Sequence, residues 1–319
     1  RGRMKNPSPS ARNGTKGTVA ALVSNLIFGF SYLFTTLALD AGLHPLILVA
    51  ARFTLAFAAM SVLVVFGVCR LEGKKSCFGK LALMALAQPF LYFILETYGL
   101  QRVSSSVSGV IVSLVPVAVL LGYTVFLRGK PSLLQSVCCA VSVLGVCLIH
   151  VFTGSGQAKF SVGGIARLLG AVLCAAAFNM LSSELGGEVT PFTRTYAMFA
   201  VSMMGFNLLA AAVLRKRFFA EYARMFASPQ ALLPVLYLSV VSSVVAFLLY
   251  NYATSNISMV RAASFSSIIP VCSVFAGVLI LKERVSVPVL LCCAVILVAV
   301  FGVNRGEFCK QAHKAEGND

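Results

Sequence analysis

Long apolar runs, separated by short polar connections, account for most of this sequence. Each run is about 20 residues long and carries few charges, which is typical of a helix that crosses a bilayer. We therefore predict an all-α integral membrane protein with ten transmembrane helices, called spans 1 to 10. Their predicted limits are 18–39, 45–68, 79–98, 104–127, 132–152, 162–184, 191–214, 231–253, 258–281 and 286–304.

The second half of the sequence repeats the pattern of the first. Residues 86–150 and 240–304 align without a gap at an offset of 154. The matched pairs include Phe93 with Phe247, Tyr98 with Tyr252, Ser104 with Ser258, Ser113 with Ser267, Pro116 with Pro270, and Cys138 and Cys139 with Cys292 and Cys293. A duplicated membrane unit is typical of transporters, so we predict two five-helix repeats over residues 18–152 and 162–304.

The odd number of spans in each repeat determines how the repeats are related. After five spans the chain lies on the other side of the membrane, so the second repeat enters the bilayer from the opposite side. Inverted repeats pack about a pseudo-two-fold axis in the membrane plane and share a cavity near the midplane. Rocking of one bundle against the other then alternates access to that cavity.

Composition agrees with a membrane protein. Hydrophobic residues make up 59% of the chain and charged residues 11%, against about 45–50% and about 25% in soluble domains. The net charge of +16 would fit nucleic acid, but the basic residues lie in tails and connections. We therefore predict the bilayer and a small-molecule substrate as partners and no nucleic acid, and the oligomeric state stays open, with a homodimer as one option.

The distribution of Lys and Arg predicts a multi-pass plasma-membrane protein with both termini cytoplasmic, because this orientation places more basic residues inside than outside. One connection disagrees. The segment after span 7 carries four basic residues on the predicted outer side: Arg215, Lys216, Arg217 and Arg224. The alternative is a missed or extra span in the second half.

The two tails and the cysteines carry no predicted chemistry. Residues 1–17 are polar and are predicted to be a disordered cytoplasmic tail, and residues 305–319 a second cytoplasmic tail. The ten cysteines lie in apolar spans or at their edges, with no C-x-x-C spacing and only three histidines in the chain. We predict that they are small buried apolar residues, and we predict no metal site and no cofactor.

Span 3 carries a polar stripe of Gln88, Tyr92 and Glu96, which recur at every fourth position. Glu96 matters most, because an ionisable carboxyl inside a span is costly unless it is paired or protonated. Arg52 in span 2 lies at a matching depth. The residues leave open a structural or gating pair with Arg52, direct binding of substrate or a proton by Glu96, and a misplaced span boundary.

Further polar side chains are predicted to line the substrate cavity. They are Asn25 and Tyr32 in span 1, Asn179 in span 6, and Tyr250 and Asn251 in span 8. In the repeat alignment Asn179 is the counterpart of Asn25, and Tyr250 that of Glu96. For each residue the alternative is an interhelical hydrogen bond without contact to substrate.

Two further groups are predicted to move during transport. Pro116 and Pro270 lie mid-span at equivalent positions and are predicted hinges, with simple packing as the alternative. Glu184, Glu188, Arg194 and Arg261 lie at span ends on the predicted inner side. We interpret them as an inner gate that alternates with an outer gate of Arg52 and Glu96; the alternative is ordinary helix-end charge in the headgroup region.

Several short segments, taken together in their order, resemble EamA-type proteins of the drug/metabolite transporter superfamily. In the second half they are Tyr250-Asn251-Tyr252-Ala253, Ser258, Arg261-Ala262, Ile269-Pro270-Val271 and Leu281-Lys282-Glu283-Arg284. In the first half they are Asn25-Leu26-Ile27-Phe28-Gly29-Phe30-Ser31, His44-Pro45-Leu46, Ala51-Arg52-Phe53, Tyr98-Gly99-Leu100 and Val115-Pro116-Val117. The chain departs from a symmetric pattern where Gly129 stands opposite Glu283.

The resemblance implies a ten-helix secondary transporter for a small organic metabolite, such as an amino acid or related compound, or for a drug. An uncoupled facilitator or channel is the alternative function, and a path for lipid-like substrates is a third. An intramembrane enzyme is disfavoured, because His44 and His150 lie at span ends and no catalytic pair lies at depth. We therefore predict no enzymatic activity.

Overall fold

The computed structural model describes residues 11–100, 102, 111–112, 114–126, 128–129, 131–152, 161–272, 275 and 287–316. Its helices are α1 (Ala11–Asp40), α2 (Pro45–Val65), α3 (Phe78–Ala85), α4 (Tyr92–Leu100), α5 (Val115–Val125), α6 (Leu133–Phe152), α7 (Val162–Leu185), α8 (Pro191–Leu214), α9 (Phe218–Ala227), α10 (Pro229–Leu236), α11 (Ala246–Asn256), α12 (Met259–Ser264) and α13 (Val287–Glu316). Two π-helical segments, Leu86–Leu91 and Tyr237–Val245, connect α3 to α4 and α10 to α11.

The helical membrane character predicted from the sequence is confirmed. Within the described residues, six helical stretches are long and apolar enough to cross a membrane: Gly14–Asp40, Pro45–Val65, Phe78–Gly99, Val162–Leu185, Pro191–Ala227 and Pro229–Asn256. The shorter apolar helices are Val115–Val125, Leu133–Leu148, Met259–Cys272 and Leu290–Val303. Parts of predicted spans 4 and 9 lie outside the described residues.

Proline and a capping side chain set the start of two long helices where the sequence predicted it. α2 begins at Pro45, and the His44 ring accepts a hydrogen bond from the backbone N–H of Leu46 at 3.2 Å. α8 begins at Pro191, and the Thr190 hydroxyl accepts one from the N–H of Thr193 at 3.3 Å. Proline fits the first helical turn because its missing N–H would have no partner there.

The described residues divide into two compact units, and each unit combines parts of both sequence halves. The first unit contains the described parts of residues 6–91 and 181–256, and the second those of 92–180 and 257–319. The boundaries of these units therefore differ from the boundaries of the sequence repeats.

Aromatic pairs show the helix directions in the first unit. Between α2 and α8, Phe53 stacks on Phe206 with ring centroids 5.6 Å apart, and Phe57 lies 4.9 Å from Tyr196. Residue numbers rise along one helix and fall along the other, so the two helices are antiparallel.

The connections at the two ends of α2 have different neighbours within the first unit. The connection between α2 and α3 contacts the one between α7 and α8: Gly73 forms a bridge with Val189, and the carbonyl of Glu72 accepts a hydrogen bond from Thr190 at 3.3 Å. At the other end of α2, the turn at Gly42 lies against the Arg224 guanidinium of α9. The α7–α8 connection and the α1–α2 turn therefore lie at opposite ends of α2.

Small residues bring the helices of the second unit together. A Cβ atom at Gly145 of α6 would lie 2.6 Å from Ile296 of α13, and one at Gly302 of α13 would lie 2.4 Å from the Cys138 sulfur. Glycine and cysteine at such contacts let backbones approach closely in a membrane protein. Among the described residues, no group of three or more His, Cys, Asp or Glu side chains is placed to hold a metal ion.

Two predictions about the elements are wrong, and they concern span 3 and the segment after span 7. Part of each predicted tail is helical, since α1 begins at Ala11 and α13 continues to Glu316. Both extensions are free of proline, and adding a residue to an existing helix requires no new nucleus. The cytoplasmic location of the two tails stays a prediction.

Span 3 is not one continuous helix. Gln88 has extended backbone angles (φ −144°, ψ 130°), so the helical path breaks there. The residue before a proline disfavours the α-helical region, and Pro89 follows it directly. The predicted stripe is therefore interrupted: Gln88 does not continue the helical face of Tyr92 and Glu96.

A helix absent from the prediction follows α8. Arg215 has φ 50° and ends α8, and after the turn Arg215–Arg217 the chain forms α9. α9 has ten residues, about 15 Å of helix, which is about half of what a bilayer core requires. The basic connection after span 7 thus contains a short helix and not an additional membrane span.

Candidate functional site

A buried arginine in the first unit is hydrogen-bonded to an irregular stretch of helix. Arg52 of α2 is 7% exposed. Its Nε donates to the Ser243 hydroxyl at 2.8 Å and its terminal nitrogen to the Ser242 hydroxyl at 2.9 Å. The Ser31 hydroxyl of α1 lies 2.5 Å from that of Ser242. We call Arg52, Ser31, Ser242 and Ser243 the Arg52 cluster.

Both serines that bind Arg52 belong to the π-helical segment Tyr237–Val245. A π-helical stretch shifts the side chains that follow it and occurs often at functional sites in helices. Tyr237, at its start, stacks on Phe34 of α1 with ring centroids 3.7 Å apart. The cluster therefore joins α1, α2 and the α10–α11 path at a position where regular helix geometry is interrupted.

The other helical break lies at the equivalent position of the first repeat. At the offset of 154, the segment Leu86–Leu91 corresponds to residues 240–245, within the second π-helical segment. Gln88 in the first break has a buried side-chain oxygen without a hydrogen-bond partner among the described residues. A buried acceptor of this kind costs free energy unless something else supplies a donor.

Arg194 forms a second buried centre in the first unit. Its side chain has an exposed fraction of 0%. It donates to the Ser182 carbonyl at 2.5 Å and to the Asn251 carbonyl at 2.6 Å. It also donates to the hydroxyls of Ser182, Thr254 and Ser255, whereas its buried Nε has no partner among the described residues. We call Arg194 and its partners Ser182, Asn251, Thr254 and Ser255 the Arg194 cluster. It links the ends of α7 and α11 to the start of α8.

Asn251, predicted to line the cavity, is part of this cluster. Its side-chain oxygen accepts from Ser182 at 2.8 Å and its amide donates to Thr195 at 3.0 Å. The residue is fully buried, so both ends of its side-chain amide are used in bonds between helices.

The acidic residues predicted for the inner gate do not pair with Arg194. Glu184 accepts from Lys80, and Glu188 forms an ion pair with Lys74 at 2.5 Å. The hydrogen bond to Glu188, with a smaller Coulombic attraction, raises the pKa of Lys74. Both lysines belong to the connection and helix after α2, whereas Arg194 binds neutral oxygens. The inner-gate role of Arg194, Glu184 and Glu188 stays a prediction.

Glu96 lies on α4 in the second unit, where the Tyr92 hydroxyl donates to its carboxylate at 2.9 Å. This contact agrees with the four-residue spacing of the two side chains. Arg52 and Glu96 belong to different units, and their pairing stays a prediction. Arg261 is buried at 4% exposure in α12, next to the N-cap Ser258; its gating role also stays a prediction.

The matched asparagines have the same local geometry. Asn25 donates to the carbonyl of Ala21 at 2.7 Å, and Asn179 donates to that of Ala175 at 2.8 Å. Both are buried. Tyr250 is also buried and lies 6.3 Å from Phe28, ring centroid to centroid. The side chain of Tyr32 lies outside the described residues.

Both predicted hinge prolines lie next to interruptions of regular α-helix. Pro116 lies in the first turn of α5, which begins at Val115, and there it removes no needed hydrogen bond. Pro270 lies within the apolar helix Met259–Cys272, shortly after the 3₁₀ turn Phe265–Ser267. A hinge role for either proline stays a prediction.

Several small hydroxyl residues that bind the arginines were not predicted from the sequence. Ser242, Thr254 and Ser255 are examples. They lie in predicted span 8 or directly after it, and that concentration of hydroxyls beside an apolar run was the available signal. Serine is nevertheless common at ordinary helix contacts in membranes, so the signal is weak without the arginine partners.

Comparison with known proteins agrees with this picture. The sequence model of the EamA-like transporter family matches residues 15–151 and 162–305. An uncharacterized transporter, YcxC, of Bacillus subtilis (strain 168) is 30% identical over 293 residues, covering 91% of this chain and 93% of the relative. An uncharacterized transporter of Archaeoglobus fulgidus is 24% identical over 264 residues, covering 82% and 90%.

A solved structure titled only "Crystal structure of protein" has the same fold. It matches with a TM-score of 0.75 at 16% identity, covering 90% of this chain and 96% of that one. The resemblance inferred from short segments is thus confirmed by the match along most of the chain. The protein belongs to the EamA-like transporter family.

Proposed function

We propose that the protein is a secondary transporter that moves a small organic metabolite across the membrane by alternating access. The observation that carries this proposal is the Arg52 cluster. A buried guanidinium is bound to hydroxyls of an interrupted helix, and interrupted helices form the substrate sites of many transporters built from inverted repeats. An intramembrane charge is costly and is usually retained for function.

The packing of connections in the first unit supports inverted repeats. In two repeats of the same orientation, the α1–α2 and α7–α8 connections would be equivalent and would lie at the same end. Instead, the α7–α8 connection contacts the far end of α2. Two separate matches of the family model and two helical breaks at the 154-residue offset also support a ten-helix protein of two inverted five-helix repeats.

The charge of the site favours one of the expected substrate classes. A guanidinium binds a carboxylate with two parallel hydrogen bonds. Within the predicted range of amino acids, related compounds and drugs, Arg52 therefore favours amino acids or other carboxylates over cationic drugs. Gln88, with its unpartnered buried oxygen, is suited to accept a hydrogen bond from an amino or hydroxyl group of the substrate.

The first experiment identifies a substrate and then removes the guanidinium. Purified protein is screened by thermal shift against amino acids, nucleosides and cationic drugs, since a bound substrate raises the unfolding temperature. Arg52→Gln is expected to weaken both the shift and uptake into proteoliposomes by about tenfold or more, the equivalent of one lost charged hydrogen bond. Arg70→Gln, which removes an exposed arginine, is the matched control.

A folded Arg52→Gln protein with unchanged substrate shift and unchanged uptake would remove Arg52 from the site. Ser242→Ala and Ser243→Ala give an intermediate test, because each removes one hydroxyl and keeps the charge. We expect each to reduce uptake less than Arg52→Gln does.

An uncoupled facilitator is distinguished from a coupled carrier by Glu96. A carboxyl that takes up and releases a proton in each cycle makes uptake depend on pH, and Tyr92 holds the Glu96 carboxylate in place. We expect Glu96→Gln to flatten the pH dependence of uptake and Tyr92→Phe to change it less. Uptake that is independent of pH in the unmodified protein would favour the facilitator.

A further inference from the structure

The short helix α9 has two faces of different character. One face of α9 packs against the rest of the first unit and includes Met225, whose exposed fraction is 0%. On the other side Phe219 is 79% exposed and Phe226 is 55% exposed. The three residues of the preceding turn, Arg215–Arg217, are all exposed, as is Arg224.

The buried face fixes α9 to two of the long helices. The Tyr222 hydroxyl donates to the side-chain oxygen of Asn207 in α8 at 2.7 Å. The Asn207 amide donates in turn to the Thr54 hydroxyl of α2 at 2.7 Å. Since both hydrogen bonds are directional and partly buried, α9 is held in one orientation relative to α2 and α8.

The exposed face combines two features that a lipid headgroup region accommodates. Two phenylalanines are available for the boundary between headgroups and acyl chains, and four basic side chains are exposed. A carboxylate oxygen of Glu221, the one acidic residue of α9, is buried. Helices with an apolar face and basic residues lie in the plane of the membrane surface. Each Lys or Arg near an anionic surface adds about 1 kcal/mol of attraction.

We propose that α9 and the turn Arg215–Arg217 form a binding site for anionic phospholipid headgroups. The basic side chains of the turn bind the phosphate groups, and Phe219 and Phe226 insert beside the acyl chains. Lipid is the occupant that the position favours, because the site directly follows the membrane-spanning helix α8 and its charge complements an anionic headgroup. Through the hydrogen bonds of Tyr222 and Asn207, the bound headgroups are connected to α2 and α8.

The absence of tryptophan from the sequence gives a clean experiment. Phe219→Trp and Leu208→Trp each create a full-length protein with one fluorescent reporter; Leu208 is 69% exposed on α8 and serves as the acyl-chain control. Each protein is placed in nanodiscs in which about a quarter of the lipid has brominated acyl chains, either on phosphatidylglycerol or on phosphatidylcholine. Bromine quenches tryptophan only in close contact.

We expect brominated phosphatidylglycerol to quench Phe219→Trp about twofold more than brominated phosphatidylcholine does, and both lipids to quench Leu208→Trp equally. Neutralising the turn with Arg215→Gln, Lys216→Gln and Arg217→Gln should remove the preference at Phe219→Trp. Removing three exposed basic residues elsewhere, with Lys16→Gln, Arg70→Gln and Arg128→Gln, should leave it unchanged.

Three outcomes would overturn the proposal. Equal quenching of Phe219→Trp by the two lipids means that α9 lies in the membrane without headgroup preference. Absence of quenching by either lipid means that a second copy or another protein covers the helix. A preference that survives neutralisation of the turn places the anionic lipid elsewhere.

Discussion

Arg194 keeps a positive charge fully buried with neutral oxygens as its partners in the part of the chain that the structure describes. Two of those oxygens are backbone carbonyls near the C-terminal ends of α7 and α11. The Ser182 carbonyl is one of the last four of α7, which have no backbone partner within the helix and lie at the negative end of its dipole. The Asn251 carbonyl lies further from the end of α11 and also accepts from the hydroxyls of Thr254 and Ser255. The guanidinium thus bridges α7 and α11 through neutral oxygens.

Replacing Arg194 by lysine is expected to lower the midpoint of thermal unfolding by several degrees. Lysine keeps the charge, but it cannot reach α7 and α11 together with a planar fork, so at least one charged hydrogen bond of about 1.5–3 kcal/mol is lost. The matched control is Arg167→Lys, because Arg167 is hydrogen-bonded to a single carbonyl, that of Gly163 in its own helix. Equal melting temperatures for the two variants would contradict the bridging role.

Residue chemistry was predicted from the sequence only in part. The sequence singled out Arg52 and Arg194 because charges inside apolar spans are conspicuous. It offered Glu96 as one possible partner of Arg52 and grouped Arg194 with Glu184 and Glu188 in an inner gate. The structure shows a serine hydroxyl bound to Arg52 and a backbone carbonyl bound to Arg194; backbone groups are present at every position, so no residue pattern marks the few that bind a side chain.

At the scale of elements, helix ends were predictable where the side chains set them. Pro45 and Pro191 begin α2 and α8 as predicted, because proline and its preceding cap act within a few residues. The break at Gln88 and the helix α9 were missed. A proline in the sequence does not distinguish a kink from a complete break of the helix. The helix α9 is short and amphipathic, so it does not form a long apolar run.

The turn after α7 contains a glycine that packing requires. A Cβ atom at Gly186 would lie 2.8 Å from the Cα of Ser255 and 3.2 Å from the Ser183 carbonyl oxygen. Backbone atoms cannot rotate away, so Gly186→Ala should displace α11 from α7 at a cost of about 1–3 kcal/mol. Gly187 is the control, because a Cβ atom there would meet nothing within 4 Å.

Thermal unfolding of the two alanine variants tests this contact. We expect Gly186→Ala to melt several degrees below the unmodified protein and Gly187→Ala to melt with it. Because Ser255 also binds Arg194, combining Gly186→Ala with Arg194→Lys should cost less than the sum of the two single effects. Strict additivity would mean that the turn and the Arg194 cluster are independent.

At the scale of the whole molecule, the compact units and the sequence repeats divide the chain differently. Each unit takes helices from both repeats, and the chain passes between the units at Leu91, at Met180 and at Asn256. The first of these crossings lies at the end of the broken segment Leu86–Leu91. The repeats could be predicted from the sequence, because matched residues keep a constant offset. The two compact units depend on contacts between distant segments and could not be predicted from the sequence.

Membrane orientation is the property of the whole chain that an inverted repeat predicts most directly. Five spans per repeat carry the chain across the membrane five times between residue 17 and residue 155, and five times more before residue 319, so each repeat ends on the side opposite to its start. With cytoplasmic termini, a reporter fused after residue 155 should be outside and one fused after residue 319 inside. A pair such as alkaline phosphatase, active outside, and a fluorescent protein, active inside, reads both positions. The basic connection at Arg215–Arg217 should also be outside, as its neighbour Gly42 should be, because both lie at the same end of α2 in the first unit. The same answer from both fusions would require an even number of crossings between them and would end the five-plus-five inverted arrangement.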